Sequence, residues 1–334
     1  MRQAMKINVF ADYVSPETGR VLDLIGTSES DDCVIEGYLD DRAGGNRYPI
    51  HNGIPRFVQG ANYADSFGFQ WNRYRRIQLD SFNGSTLTRD RFYEGTGWES
   101  KDLSGKRILE AGCGAGRFSE VMLAAGAHLY SFDYSTAVDA AWRNNRHHSA
   151  WRLAQADIMA IPFPECSFDY VFCFGVLQHT PDPERAFLNL TRYIKPGGHI
   201  AVDVYMVQTT LNKLTAKYWL RPITRRIPKP LLLKVLEFYL PWWTPLDSHV
   251  LSRIPRLGPL ISMLIPCWNK MGLPLSYDHR LEWTILDTFD AFSCEFDYPQ
   301  TLAAVRSWCD AAGLVDVTVR EGGNGIECHG SKPR

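Results

Sequence analysis

The chain is expected to be an α/β protein: a doubly wound seven-stranded sheet, with a small β module in front of it and a helical insertion before its last helix and two strands. Three observations carry this. From Lys106 onward, strand-length apolar segments alternate with helix-length ones. The stretch ILEAGCGAGRF (108–118) sets three glycines straight after the first apolar run. The alternation breaks near residue 206 and resumes near Tyr298. Strand and helix taking turns imply parallel strands with helices on both faces.

Residues 1–60 are rich in Gly and Asp and end in RYPIHNGIPRFV, where Pro49, Gly53 and Pro55 punctuate short extended pieces, so a small β module is expected. Residues 61–105 interleave aromatics with arginines (FGFQWNRYRR, DRFYEGTGW) and read as a helical lead-in. The core, 106–205 and 296–334, supplies seven strands: RILEA, HLYSFD, WRLAQAD, FDYVFCFG, HIAVDVY, LVDVTVREGG and GIECHGSKP. The insertion, 206–295, holds nine of the nineteen prolines, and these argue against one long helix.

The net charge of −1 conceals an asymmetry, because residues 206–280 carry eleven Lys or Arg against Glu237, Asp247 and Asp278. That segment is basic and the remainder acidic. The N-terminal MRQAMKINVF lacks the apolar core of a signal peptide, and no run approaches the roughly 18 apolar residues of a membrane span. Eight cysteines without a C-x-x-C pair suit reduced thiols rather than a disulfide framework or zinc cluster. A cytoplasmic protein is expected.

A strand turning at glycines into a helix can hold a dinucleotide or a nucleoside sulfonium. Here the spacing is G-x-G-x-G (Gly112, Gly114, Gly116), looser than the dinucleotide fingerprint, with Glu110 two residues ahead and Asp133 about 20 residues on. Together with QAD after the third strand, FDYVFCFGVLQHTPDPERAF at the fourth and YIKPGGHIAV at the fifth, this pattern resembles class I S-adenosylmethionine-dependent methyltransferases of the type 11-like group, which are Rossmann-like. The resemblance is close over 106–205 and looser over 298–332.

The resemblance implies S-adenosylmethionine as cofactor, S-adenosylhomocysteine as product, and no metal. It places the three glycines at the methionine part, Asp133 on the ribose hydroxyls, Tyr134 beside the adenine, Asp157 and Ile158 at its amino edge and face, and Glu110 and Phe174 among the cofactor contacts. Gln70 and Trp71, with Phe69, would lie over the methionine end, where an aromatic face favours the sulfonium charge. Bland readings stay open: Asp133 as a strand-end turn residue, Asp157 as a cap of the following turn, and Trp71 as packing between the small module and the core.

Methyl transfer to a hydroxyl needs alignment and a base. His179, in the loop GVLQHTPDP, is one candidate, since its ordinary pKa suits neutrality, and pocket shaping is the alternative. Asp290, in LDTFDAFSCEFDYP, is a rival, and the alternative is that it and Asp287 only cap a helix or turn. Oxygen is the favoured target, on a small-molecule, glycan or lipid-linked acceptor. No nucleic-acid partner is expected, because GVLQHTPDP replaces the N/D-P-P-aromatic motif and the chain outside the insertion is acidic. An RNA or protein methyltransferase, and a non-catalytic cofactor-binding protein, are the rival functions.

Two outlying parts complete the reading. Through EGYL and YPIHNGIPRFV the first 60 residues resemble zinc-ribbon-like modules, but VSPETG and LDDRAGG stand where paired cysteines hold zinc, and Cys33 is alone, so the module reads as degenerate with its metal lost. In the insertion, Trp219, Trp242, Trp243 and Trp268 accompany basic residues, and 231–240 is apolar nearly all round a helix. That suits a bilayer surface or an anionic lipid-linked acceptor held by Arg225, Arg226 and Lys229. A helical cap with a solvated basic outer face is the alternative.

Overall fold

The computed structural model describes residues 5–30, 33–58, 60–207 and 215–334. The first strands, β1 (Met5–Lys6), β2 (Asp23–Ser30), β3 (Cys33–Asp40), β4 (Arg47–His51) and β5 (Ile54–Pro55), form an antiparallel sheet in which β3 pairs with β1, β2 and β4. The loops VSPETG and LDDRAGG meet through hydrogen bonds: the Asp41 carboxylate accepts from Thr18 Oγ1 at 3.1 Å and from the Ala43 and Gly44 N–H groups at 3.1 and 2.9 Å. Among the described residues no cluster of His, Cys, Asp or Glu has metal-holding geometry, and the side chain of Cys33 lies outside that description.

The lead-in is four short helices, α1 (Asp65–Arg73), α2 (Asp80–Asn83), α3 (Leu87–Thr96) and α4 (Ser100–Leu103). The core then alternates β6 (Arg107–Ala111), α5 (Arg117–Ala124), β7 (His128–Asp133), α6 (Val138–Asn145), β8 (Trp151–Gln155), β9 (Phe168–Cys173), α7 (Pro183–Thr191) and β10 (Ile194–Val204). After the insertion come α12 (Leu302–Ala311), β11 (Val315–Gly322) and β12 (Gly325–Ser331), preceded by the insertion's helices α8 (Ala216–Thr224), α9 (Lys229–His249), α10 (Leu257–Leu264) and α11 (Tyr277–Ser293).

The seven strands run β11-β12-β10-β9-β6-β7-β8, parallel from β10 to β8 and antiparallel where β12 joins β10 and β11. Central strands are buried on both faces, with Ile108, Leu109, Leu129, Leu153 and Val171 fully covered. From β6 the chain winds to β7 on one side and later to β9 on the other, so a crevice opens beyond the carboxyl end of β6. The N-terminal module covers the β8 edge. Arg56 pairs with Asp139 at 2.7 Å and donates to Gln155 Oε1 at 3.2 Å, while the Tyr13 hydroxyl donates to the Leu153 carbonyl at 2.9 Å.

The insertion is not one long helix, as its prolines lead one to expect, but among the described residues a set of four, and two of the prolines nevertheless lie inside one of them. Helix α9 runs 21 residues straight through Pro241 and Pro245. Each proline lacks the N–H that would bond four residues back. The carbonyl freed by Pro245, that of Pro241, faces the Tyr277 hydroxyl at 3.5 Å, and the helix buries Leu232, Leu233, Leu236 and Leu240 against Ile285 and Phe289 of α11. Burial of that face outweighs the lost backbone bonds.

Candidate active site

Strand β6 ends in a tight turn whose three glycines all take positive φ, 70° at Gly112, 53° at Gly114 and 82° at Gly116. They serve different ends. A Cβ at Gly114 would stand 3.3 Å from the Trp71 indole, so this position keeps space between turn and ring. A Cβ at Gly116 would stand 2.5 Å from Asn145 Nδ2, which donates to the Gly116 carbonyl at 2.9 Å. Gly116 therefore seats α5 against α6 and does not line the crevice.

The crevice is a cavity of about 1090 Å³ between the sheet's carboxyl edge, the lead-in helices and the insertion. Its wall includes Gln70, Trp71, Gly112, Gly114, Asp133, Tyr134, Ile158, Phe174, His179 and Asp290. Asp133 Oδ1 accepts from the Ser135 N–H at 2.8 Å and hydroxyl at 2.7 Å, and Oδ2 from the Gly114 N–H at 2.9 Å. Burial nevertheless raises its pKa, against those hydrogen bonds. Tyr134 stacks on Tyr63 with ring centroids 4.7 Å apart. Trp71 packs on Ile77, Trp283 and Leu286, so it joins the lead-in to the insertion rather than to the N-terminal module.

Two other residues assigned to the cofactor lie off this wall. Glu110 is buried beneath the turn, where one oxygen accepts from Ser119 Oγ and Ser131 Oγ, both at 2.6 Å, and the other has no partner. Burial pushes its carboxyl up to about 7, against the pull of the two serines. Parity along β6 decides this, since alternate side chains of a strand leave opposite faces. Asp157 spends Oδ1 on the Met159 N–H at 2.8 Å, a turn-capping bond, and is not on the wall.

Opposite the glycine turn, α11 presents Asp287 and Asp290 three residues apart on one face. Thr284 and Thr288 accept from the Lys270 N–H at 3.0 Å and the Trp268 N–H at 2.8 Å, which holds both of those residues at the wall. Lys270 pairs with Asp287 at 2.9 Å, and the buried Lys217 with Asp297 at 2.8 Å. Lys217 sits in no motif, Asp297 lies in the quoted stretch LDTFDAFSCEFDYP without having been singled out, and Gln78, Arg117 and Tyr205 are wall residues, like Lys217, that sequence reasoning missed. Arg117, directly after the glycine turn, and Tyr205, directly after β10, had a positional signal.

His179 closes a short 3-10 turn after β9. Its Nδ1 lies 2.9 Å from the Phe296 carbonyl, which only accepts, so Nδ1 carries a proton. The ring sits between Phe67 and Tyr205, at centroid distances of 4.9 and 5.4 Å. Burial lowers its pKa, but Cys294, the Asp290 charge and the Phe296 carbonyl outweigh burial and push it up to about 9. Near neutrality this imidazole is therefore protonated. The Asp290 carboxyl is also raised: burial pushes it up more than His179 and Lys217 pull it down, and its Oδ1 is buried without a partner.

A doubly wound sheet with a glycine turn at its reversal point, an acid at the end of the next strand and a large cavity above them defines a nucleotide-cofactor α/β protein. Comparison with known proteins narrows the class: residues 109–202 match the family model described as a methyltransferase domain. Among curated proteins, the ubiquinone biosynthesis O-methyltransferases of Pseudomonas fluorescens and Pseudomonas putida are each 35% identical over 106 residues, 30% of this chain and 45% of theirs. The chain thus spans less than half the length of the curated relatives it matches. Among solved structures, phosphoethanolamine N-methyltransferase 2 of Haemonchus contortus is similar at 14% identity and a TM-score of 0.47, over 86% of this chain and 62% of that one. Magnesium protoporphyrin IX methyltransferase of Synechocystis is similar at 15% identity and a TM-score of 0.42, over 81% and 96%.

Proposed function

We propose that this protein transfers the methyl group of S-adenosylmethionine to an oxygen of a small-molecule, glycan or lipid-linked acceptor. The observation that carries the reading is that one continuous cavity joins the glycine turn and Asp133 to the His179–Asp290 pair. Its volume, about 1090 Å³, is at the upper end of small-ligand sites, which suits a cofactor with an acceptor beside it. The lining also fits the cofactor. Gln70 Oε1 is buried without a partner, and Gly114 keeps the space before Trp71 open.

When bound, the cofactor supplies an electrophilic sulfonium methyl. Asp133 would accept the ribose hydroxyls, Tyr134 and Ile158 would flank the adenine, and Gln70 and Trp71 would close over the methionine end. Between the two candidate bases the surroundings favour Asp290. Its unpartnered oxygen can receive the acceptor's proton, whereas the pKa of His179 is pushed up, which disfavours it as a base and lets its charge favour the ionised carboxylate. The matched region's likeness to ubiquinone biosynthesis O-methyltransferases supports oxygen as the target atom.

Isothermal titration tests the cofactor. S-adenosylhomocysteine should bind and NAD should not, and Asp133→Ala should weaken binding by roughly 1.5–3 kcal/mol, about 10- to 150-fold, while remaining folded. Equal affinity in a folded Asp133→Ala protein would remove Asp133 from the site, and binding of NAD alone would replace methyl transfer by dinucleotide chemistry.

A further inference from the structure

The outward side of α9 has no cover among the described residues. Leu231, Val235, Phe238, Trp242 and Leu246 recur at intervals of three or four residues and all stand exposed, Phe238 at 78% and Trp242 at 79%. At about 1.5 Å per residue this stripe is roughly 22 Å long. The opposite side of the same helix is the one buried on α11, so the stripe is not a core face left over from packing within the insertion. Helices α8 and α10 add exposed Trp219, Ile223, Leu257, Leu260 and Leu264. A contiguous run of large apolar side chains on one helix face marks a surface that meets a partner.

The charges nearby identify the partner. Arg226, Lys234, Arg253 and Arg256 are exposed on these segments, and among the described residues none has a carboxylate within ion-pair distance. Lys234 lies within the stripe itself. The acids of the same region are engaged, Glu237 by Arg73 and the Tyr74 hydroxyl and Asp247 by Asn269 and Ser262. A second copy of this chain would bring like charges together across the stripe, whereas an anionic bilayer complements them. No helix among the described residues is long and apolar enough to cross a membrane, so the contact would be one of lying on the surface.

We propose that α9 and its flanks form a surface that docks on anionic bilayers, with Phe238 and Trp242 entering the interface and Arg226, Lys234, Arg253 and Arg256 meeting the headgroups. The insertion that carries this surface also walls the cavity through Lys217, Tyr218, Trp268 and Lys270, so docking holds the cavity's insertion side near the lipid. The inference stands on exposure and charge alone and is independent of the methyl-transfer reading.

Sedimentation of the full chain with vesicles containing phosphatidylglycerol, against pure phosphatidylcholine, tests it without any turnover assay. Binding to the anionic vesicles should weaken with salt. The double change Phe238→Gln and Trp242→Gln should lower affinity at least about tenfold. Replacing the four exposed basic residues by Gln should cost about fivefold per residue on anionic vesicles and little on neutral ones. These positions are exposed, so circular dichroism should show every variant folded. Absence of vesicle binding by the wild-type chain, or equal binding by both variants, would overturn the proposal. So would a dimer in light scattering that the Phe238/Trp242 change dissolves while vesicle binding is absent, which would make the stripe a self-association face.

Discussion

Glu110 shows how one residue's role depends on which way its side chain leaves the strand. Its place ahead of the glycines suggests a cofactor ligand, yet it lies under the turn, bonded to Ser119 and Ser131, with its carboxyl pushed up to about 7 by burial. A folded-state pKa above the unfolded one means the protonated form is favoured on folding. The associated stability is fully present below the unfolded pKa and is lost as pH rises through about 7. Glu110→Gln keeps an acceptor for the serines and cannot ionise, so at pH above that value it should be more stable than wild type by about 1–3 kcal/mol in thermal melts. Cofactor affinity should be unchanged. His179 and Asp290 make opposite predictions for the rate. If Asp290 is the base and His179 its cation, kcat should fall as pH passes about 9, and if neutral His179 is the base, kcat should climb toward that pH. Asp290→Asn should cost about 10²-fold or more in kcat with cofactor affinity intact, and near-normal turnover in that variant would return the role to His179.

Among the elements, α11 explains basic residues that composition alone misassigns. Arg225, Arg226 and Lys229 look like contacts for an anionic acceptor, but only Arg226 is exposed. Lys229 Nζ donates to the Ser293 carbonyl at 2.8 Å, Arg221 Nη2 to the Cys294 and Glu295 carbonyls at 3.0 Å, and Thr224 Oγ1 to the Phe292 carbonyl at 2.8 Å. These carbonyls belong to the end of α11, where backbone acceptors lack helical partners and the helix dipole is negative. The cations are a cap for α11. Lys229→Gln should therefore lower stability by about 0.5–1.5 kcal/mol in denaturant unfolding, with the acceptor's KM unchanged. A raised KM at unchanged stability would restore the acceptor role. The sheet was legible at this scale because each strand and helix declares its own period, and a helix at 231–240 and the broken insertion were legible too, whereas the continuation of α9 through Pro241 and Pro245 depends on tertiary burial.

For the whole molecule, the cavity unites three parts of the chain: lead-in, core and insertion. A ligand that binds only this assembled state must stabilise it. S-adenosylhomocysteine at a hundredfold excess over its Kd should add about 2.7 kcal/mol and raise Tm by several degrees. A variant lacking Asp133 should lose most of that rise. If wild type shows no rise, the assembled cavity is not a site for this cofactor. The charge asymmetry also resolves at this scale, since part of the basic segment caps α11 or pairs within the cavity wall, as Lys217 and Lys270 do, and the remainder faces outward beside the apolar stripe of α9. Lys213, part of that count in sequence, lies outside the described residues.

What the amino-acid order determined by itself was local and periodic: the alternation of strands and helices, the glycine turn, the acid at the end of the second core strand, and an insertion unlike the rest. Each is written within a few neighbouring residues, because backbone propensity, strand parity and turn chemistry act over that range. The tertiary structure decided whatever depends on residues far apart in the chain. It set Cys294 and Asp290, 115 and 111 positions away, around His179, and together they push its pKa up in spite of burial. It faced Trp71 toward Gly114, buried Glu110 beneath the turn, and spent Lys217 on Asp297. A pKa, a paired charge and an uncovered face are properties of surroundings, and the surroundings exist only once the chain has closed on itself.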